Sequence, residues 1–423
     1  MMIDILATAA SVGFDPDLAT RAYLDSLTGP ARARSDAYFE GGYWLLLWGM
    51  LVSLASAWTM LRSGWSASWS RWAQRVTRRR WLQPALYALP FVLVSSLIVL
   101  PWTIYTDWYR EKQYGLMNLG FGGWVGEQVT GLGVTLVVTA IALVIIFAVI
   151  RATPRSWWLW ASATMALFLA FGALITPVFI SPLFNTYEAM PEGRLRDQII
   201  GMAKANGVPA ENVYVFDQSK QHDRISANVS GLGPTIRISL NDNLLRRATP
   251  AEVKAVMGHE LGHYVLGHIW ILIGCVSLIF LGGFLLLWWL TPRILARWGE
   301  RWGVHVPSDP AVMPLFTAVL AVYVVLATPA VNTLVRTEES AADRFGLDAA
   351  REPDAFASTA MKLSEYRKIE PGVLEEAIFF DHPSGRTRVR AAMRWKAEHL
   401  AELPAAQRAV MRPAPATVAS PMR

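Results

Sequence analysis

Six stretches of this chain carry little or no charge over enough residues to cross roughly 30 Å of hydrocarbon as helices. They fall near residues 42–62, 85–105, 130–150, 157–179, 266–290 and 312–333. A bilayer offers no water to backbone amides, so such segments are confined to structures that bond their own N–H and C=O groups. The fourth stretch follows the third so closely that the two form a tight hairpin. The expectation is a mainly α, polytopic helical membrane protein of about six spans. A chain that is 53% hydrophobic and only 17% charged is too apolar for an ordinary soluble enzyme.

The remaining composition fits a membrane setting. Net charge is +6, and much of the basic excess lies beside the apolar stretches. After the first come Arg71, Arg75, Arg78, Arg79 and Arg80, interleaved with Trp65, Trp69, Trp72 and Trp81. Tryptophan prefers the headgroup level and arginine an anionic surface, so this loop should lie along the membrane. Nucleic acid is not the expected partner. The single cysteine, Cys275, falls inside the fifth stretch. A disulfide framework, a CxxC redox site and a cysteine-ligated metal are thereby excluded. The first fifteen residues are acidic and lack a basic n-region, so they do not read as a signal peptide.

The chain divides into a lead-in at 1–41, four spans with loops at 42–181, and a soluble insertion at 182–263. Two further spans fill 264–335, a second soluble part fills 336–400, and a proline-rich, disordered tail is expected at 401–423. Residues 106–129 read as a connecting loop with a glycine-rich run. Within the insertion, Pro191–Asn206 reads as a helix, and Val213–Phe216 and Thr235–Leu240 as strands. An exposed strand there could hold an extended peptide by adding it to a sheet edge, although a purely structural hairpin fits equally well.

The insertion closes on His259-Glu260-Leu261-Gly262-His263. Histidines four residues apart share a helix face, so both imidazoles can reach one ion. Glu260, about 100° around the helix, can face a water in an open coordination position. Two neutral imidazoles suit zinc, with a third protein ligand and a water completing a catalytic site. Thr249, Pro250 and Glu252 sign the start of the helix as a capping box with proline at its first position. His268, five residues beyond His263, points off the ligand face and reads as an interfacial histidine.

Just past the sixth stretch, Glu339-Ser340-Ala341-Ala342-Asp343 offers a carboxylate to complete the ligands. One turn on, an aspartate could accept the free N–H of a ligating histidine. Neighbouring Glu338 competes for the ligand role. In a loop further on, His382 could donate to the oxyanion of a tetrahedral intermediate.

Together these motifs resemble the integral-membrane zinc endopeptidases of the CAAX prenyl protease type 1 family. The HExxH motif is His259 to His263. The family's N-x-x-S-R-x-x-E-x-x-A-D appears as Asn332 to Asp343, with Val335 in place of the serine. Its H-P-x-x-x-x-R appears as His382-Pro383 through Arg388. Weaker likenesses are Glu111-Lys112-Gln113-Tyr114-Gly115 and the stretch from Pro182-Leu183-Phe184 to Pro191-Glu192-Gly193. Residues 36 to 395 share the likeness.

The resemblance implies a gluzincin-type zinc metalloprotease domain with a small β-sheet and one Zn2+ per chain. It makes His259, His263 and Glu339 the ligands and Glu260 the general base. Asp343 becomes the orienting carboxylate, and His382 with Arg388 the transition-state and substrate-positioning pair. Ser226, Ala227 and Asn228 stand where the family has its N-A-Y substrate-holding strand. The family's eukaryotic members have seven spans, one more than here. The implied substrates are peptides or proteins in or near the bilayer, prenylated CAAX-type chains among them. The expected location is a bacterial inner membrane and not the endoplasmic reticulum. The alternatives are a quality-control protease of the heat-shock type and a non-catalytic membrane scaffold. A zinc transporter would want ionisable residues inside the spans, and these are essentially absent.

Overall fold

The computed structural model describes residues 14–231 and 236–408. Two helices open the described chain, α1 (Pro16–Leu24) and α2 (Gly29–Arg62), followed by α3 (Trp65–Val76) and α4 (Gln83–Thr103). A wide turn after Pro101 joins α4 to the short α5 (Arg110–Gln113), and α6 (Phe121–Ala152) and α7 (Trp157–Ile175) follow as the expected hairpin. After the soluble insertion come α11 (His268–Trp302) and α12 (Met313–Ala350), with α8 to α10 defined below.

Six helices are long and apolar enough to cross a membrane, and between 6% and 33% of each apolar window is buried. Outward-facing leucines such as Leu97, Leu167 and Leu326 would be costly in water and are at home against hydrocarbon. The bundle core is made by Met60, Tyr87, Phe147, Leu287 and Phe316 with their neighbours. Trp157 stacks on Phe316 with ring centres 5.9 Å apart.

The ends of the bundle differ. At one, Ser66 donates to the carbonyl of Ala311 (2.8 Å) and Ser70 to Asp309 (2.6 Å). Arg151 there donates to the carbonyl of Arg80 (2.8 Å), so the connections after α2, α6 and α11 gather on one side. The amphipathic α3 buries Ser66, Ala67, Ser70 and Ala73 and turns Arg71 and Arg75 outward.

The opposite end carries the soluble part. Its four-stranded sheet runs β1 (Tyr187–Ala189), β2 (Val213–Phe216), β4 (Arg237–Asn241), β3 (Ala227–Ser230) in space. β2 and β4 are parallel; β1 pairs with β2, and β3 with β4, antiparallel. Ile238, Leu240 and Val213 pack on α8 (Arg194–Ala205), on the short α9 (Asp242–Arg247) and on α10 (Pro250–Val265). A separate cluster joins α1 to α13 (Pro353–Leu363) and α15 (Gly385–Glu398), with α14 (Val373–Phe379) between them.

Three expectations are corrected. Residues 106–129 are mostly helical, because the fourth helix continues through residue 113 and the glycine-rich run from Phe121 starts α6. Glycine is a weak helix former in water, but a helix is the backbone's best solution beside hydrocarbon. The described part of the lead-in, from residue 14, is largely helical, since α1 fills Pro16–Leu24 and α2 begins at Gly29, well before its apolar portion. The tail is ordered through Arg408: Leu403 is buried, and Gln407 donates to Glu352 (2.7 Å). Residues 409–423, Thr235 of the expected second strand and residues 232–234 of the turn before it lie outside the described residues.

α10 and α12 meet backbone to backbone. A Cβ added at Gly346 would stand 2.8 Å from the amide nitrogen of His259, and one at Gly258 would stand 2.9 Å from the carbonyl oxygen of Gly346. A Gly346→Ala variant should therefore be overpacked by ~1–3 kcal/mol, seen as a lower thermal midpoint in detergent. An unchanged midpoint would show that the crossing tolerates a methyl. For topology, single cysteines placed in a Cys275→Ser background at Arg78 and Arg394 should react with an impermeant reagent from opposite sides of the membrane. Reaction of both from one side would rule out the odd number of spans, five, that lies between them.

Candidate metal centre

The capping box at the head of α10 is formed as the sequence implies. Thr249 N–H donates to Glu252 (2.7 Å), and Glu252 N–H to the Thr249 hydroxyl (3.3 Å). Glu252 also accepts from Lys362 (2.7 Å) and Ser358 (2.6 Å), which ties the helix start to α13. Down this helix His259 is buried and His263 half-buried, both facing α12.

The glycine crossing puts Glu339 against both rings. His259 Nε2 and His263 Nε2 are 3.1 Å apart. Glu339 Oε2 is 3.3 Å from His259 Nε2, and Oε1 is 3.4 Å from His263 Nε2. Donors held about 2.0–2.1 Å from a tetrahedral zinc stand about 3.3 Å from one another, so the two imidazole nitrogens and the carboxylate that faces each of them are near enough to share one metal ion. The buried Glu339 Oε2 has no hydrogen-bond donor, which also fits an oxygen reserved for a cation. Among the described residues these three form the one His, Cys, Asp and Glu group close enough to share an ion. Glu338 is buried but lies outside it.

Each imidazole is braced from behind. His259 Nδ1 lies 2.8 Å from Asp343 Oδ1, close but not aligned for a good hydrogen bond. Arg388 grips Asp343 with Nε to Oδ2 (3.0 Å) and Nη2 to Oδ1 (2.5 Å). Its guanidinium thus compensates the buried aspartate, and Arg388 also lines the cavity beside Glu260. His268, expected to be a bystander at the interface, is buried with Nδ1 2.9 Å from Nδ1 of His263. The bend at Leu266–Gly267, with Gly267 at φ 68°, turns α11 enough to bring it back. His382 lies 3.3 Å from Glu339 through Nε2 and 2.9 Å from Asp381 through Nδ1. Asp381 was not singled out in the sequence, although its adjacency to His382 was a usable signal.

Electrostatics follow from these contacts. Burial disfavours a charged His259, yet the Asp343 and Glu339 carboxylates outweigh it and lift its pKa to about 10. Burial pushes Glu260 upward against the pull of His259 and His263. Burial also works against the charge on Asp381, but His382 beside it holds its pKa down.

Glu260, Ser226 and Ala227 line a cavity of about 170 Å³ next to the histidines, with Val256, Phe356 and Tyr366 supplying apolar and aromatic walls. Asn228 continues β3 away from that lining.

Comparison with known proteins agrees with this geometry. A family model described as "Peptidase family M48" matches residues 189–396. One described as "CAAX prenyl protease N-terminal, five membrane helices" matches residues 24–186. A Bacillus subtilis protein titled "Uncharacterized metalloprotease YhfN" is 27% identical over 338 residues, 79% of this chain and 78% of that one. The Saccharomyces cerevisiae "CAAX prenyl protease 1" is 27% identical over 177 residues, 42% of this chain and 39% of that one. The chain thus aligns with well under half the length of the yeast protein. The crystal structure of S. mikatae Ste24p superposes with a TM-score of 0.74 at 20% identity, covering 89% of this chain and 95% of that one. That likeness speaks for the fold. With both halves matched in order, and with six helices apolar enough to span a bilayer, the chain belongs to the M48 metallopeptidases of CAAX prenyl protease type, as a multi-pass integral membrane metalloprotease.

Proposed function

We propose that the chain is a zinc endopeptidase cutting polypeptides in or at the membrane, with His259, His263 and Glu339 holding one zinc ion. The observation that carries this reading is the close grouping of His259, His263 and Glu339, whose imidazole nitrogens stand 3.1 Å apart and each 3.3 or 3.4 Å from one oxygen of the same carboxylate. When bound, zinc supplies Lewis acidity and a water of lowered pKa. Glu260, which lines the cavity beside the histidines, would take a proton from the attacking water and deliver it to the departing amine. His382, oriented by Asp381, donates from Nε2 to the oxygen on which negative charge develops. His263 gives its remaining ring N–H to His268, and His259 is held by the Asp343–Arg388 pair.

The substrate backbone is received by β3. Asn241 N–H donates to the Ser226 carbonyl (2.9 Å), so alternation turns the N–H and C=O of Ala227 to the open edge. An extended peptide bonded there would run past Glu260 and His259. A membrane or membrane-tethered chain fits because two residues, Leu266 and Gly267, separate α10 from the spanning α11. Prenylated CAAX-type chains fall within this class.

Two outcomes test the chemistry. Glu260→Gln should abolish peptide hydrolysis in proteoliposomes, a loss of at least ~100-fold, while bound zinc stays stoichiometric; hydrolysis near the parent rate would remove Glu260 from the mechanism. Glu339→Ala should lose zinc and activity together by metal analysis, whereas Glu338→Ala should keep both. Zinc loss confined to the Glu338 variant would exchange the two roles. Substrates would be sought by comparing membrane proteomes of cells carrying the parent chain and Glu260→Gln.

A further inference from the structure

The seven-residue α14 lies between α13 and His382 and is clamped at both sides to the ends of two spans. The Phe379 ring stacks on Tyr43 of α2, with centres 3.9 Å apart and planes at 17°. Phe380 meets Phe39, with ring centres 4.5 Å apart. From α12, Asn332 donates to the carbonyl of Ile378 (2.8 Å) and Arg336 to that of Glu376 (2.9 Å). Residues 39–43 and 332–336 are where these two helices pass between charged sequence and their apolar runs. α14 is therefore held at the level where water gives way to hydrocarbon.

Its side chains are arranged inside out for a water-facing helix. Glu375 is drawn inward to Lys368 (2.9 Å), Tyr43 (2.9 Å) and the Gly372 amide (3.0 Å). Glu376 accepts from the Ser384 amide (2.8 Å). Outward stand Val373, 82% exposed, and Leu374, 77% exposed, with Ile378 behind them. One residue beyond Tyr43, the 65% exposed Trp44 begins the lipid-facing side of α2. Inward carboxylates and outward aliphatics at this depth are the arrangement of an element lying in an interface.

We propose that α14 is an interfacial membrane anchor, with Val373 and Leu374 seated among lipid acyl chains and holding the following His382 loop at the bilayer surface. This goes beyond the protease reading and stands whether or not that reading does.

The test uses the full chain in phosphatidylcholine–phosphatidylglycerol vesicles, in a Cys275→Ser background. Val373→Cys and, separately, Leu374→Cys are labelled with an environment-sensitive fluorophore and quenched by lipids spin-labelled near the headgroup. Leu326→Cys serves as the lipid-facing reference and Arg394→Cys as the aqueous one. Emission at both α14 positions should shift to the blue of the aqueous reference and be quenched by the labelled lipid. Emission and quenching equal to the Arg394→Cys level at both positions would overturn the proposal and leave α14 as a water-facing lip. Neither readout involves peptide cleavage, so a failed anchor and a failed protease remain distinguishable.

Discussion

The approach of α10 and α12 at Gly258 and Gly346 sets the dimensions of everything at the site. Helix axes usually pack 8–10 Å apart because side chains keep them there. Here each backbone touches the other's glycine, so the two ligand-bearing faces meet at bonding distance. Each glycine inside a helix costs about 1 kcal/mol against alanine, a loss offset by close van der Waals contact in the manner of small-residue crossings in membranes. A wider crossing would carry Glu339 away from the two histidines, and the group would no longer be close enough to share an ion.

Within that frame the imidazoles share one design, since each presents one nitrogen to the centre and rests the other on a partner. His259 backs onto Asp343, His263 onto His268, and His382 onto Asp381. An imidazole held only at one nitrogen can rotate, whereas one pinned at both has a fixed ring plane. Asp343 would be a costly buried charge on its own, and the bidentate Arg388 is what makes it tolerable.

The parts of this arrangement legible in the sequence are those governed by local period. His259 and His263 are one helical turn apart, and so are Glu339 and Asp343; their elements carry clear caps or continue clear apolar runs. The spans were legible because hydrocarbon thickness demands length. Less legible was anything decided by distant pieces of chain. His268 was judged by its angle on a continuous helix, but the left-handed Gly267 breaks that helix and redirects it. Arg388 was assigned by motif position, while its partner is set by the packing of α15 beside α12. The glycines from Phe121 onward read as a loop by propensity, but they prolong a long apolar helix whose first turns are tied to the soluble insertion, where Gln221 donates to Glu127. The short strands β1 and β3 carry too little pattern to stand out, and β3 exists because β4 is there to pair with.

If His259, His263 and Glu339 hold the metal as proposed, their order along the chain has a consequence for biogenesis. His259 and His263 precede α11, Glu339 lies near the far end of α12, and both long apolar helices come between. A nascent chain that has emerged only as far as residue 302 can offer the two imidazoles of this group without its carboxylate, Glu339. The centre is complete once the last span has been threaded and its far end has returned to the same side of the bilayer. Maturation of the peptidase is thus tied to finished membrane insertion, and a half-made chain has no way to be prematurely active. For the same reason the catalytic part cannot be cut free as a water-soluble fragment, because two spans run between its ligands.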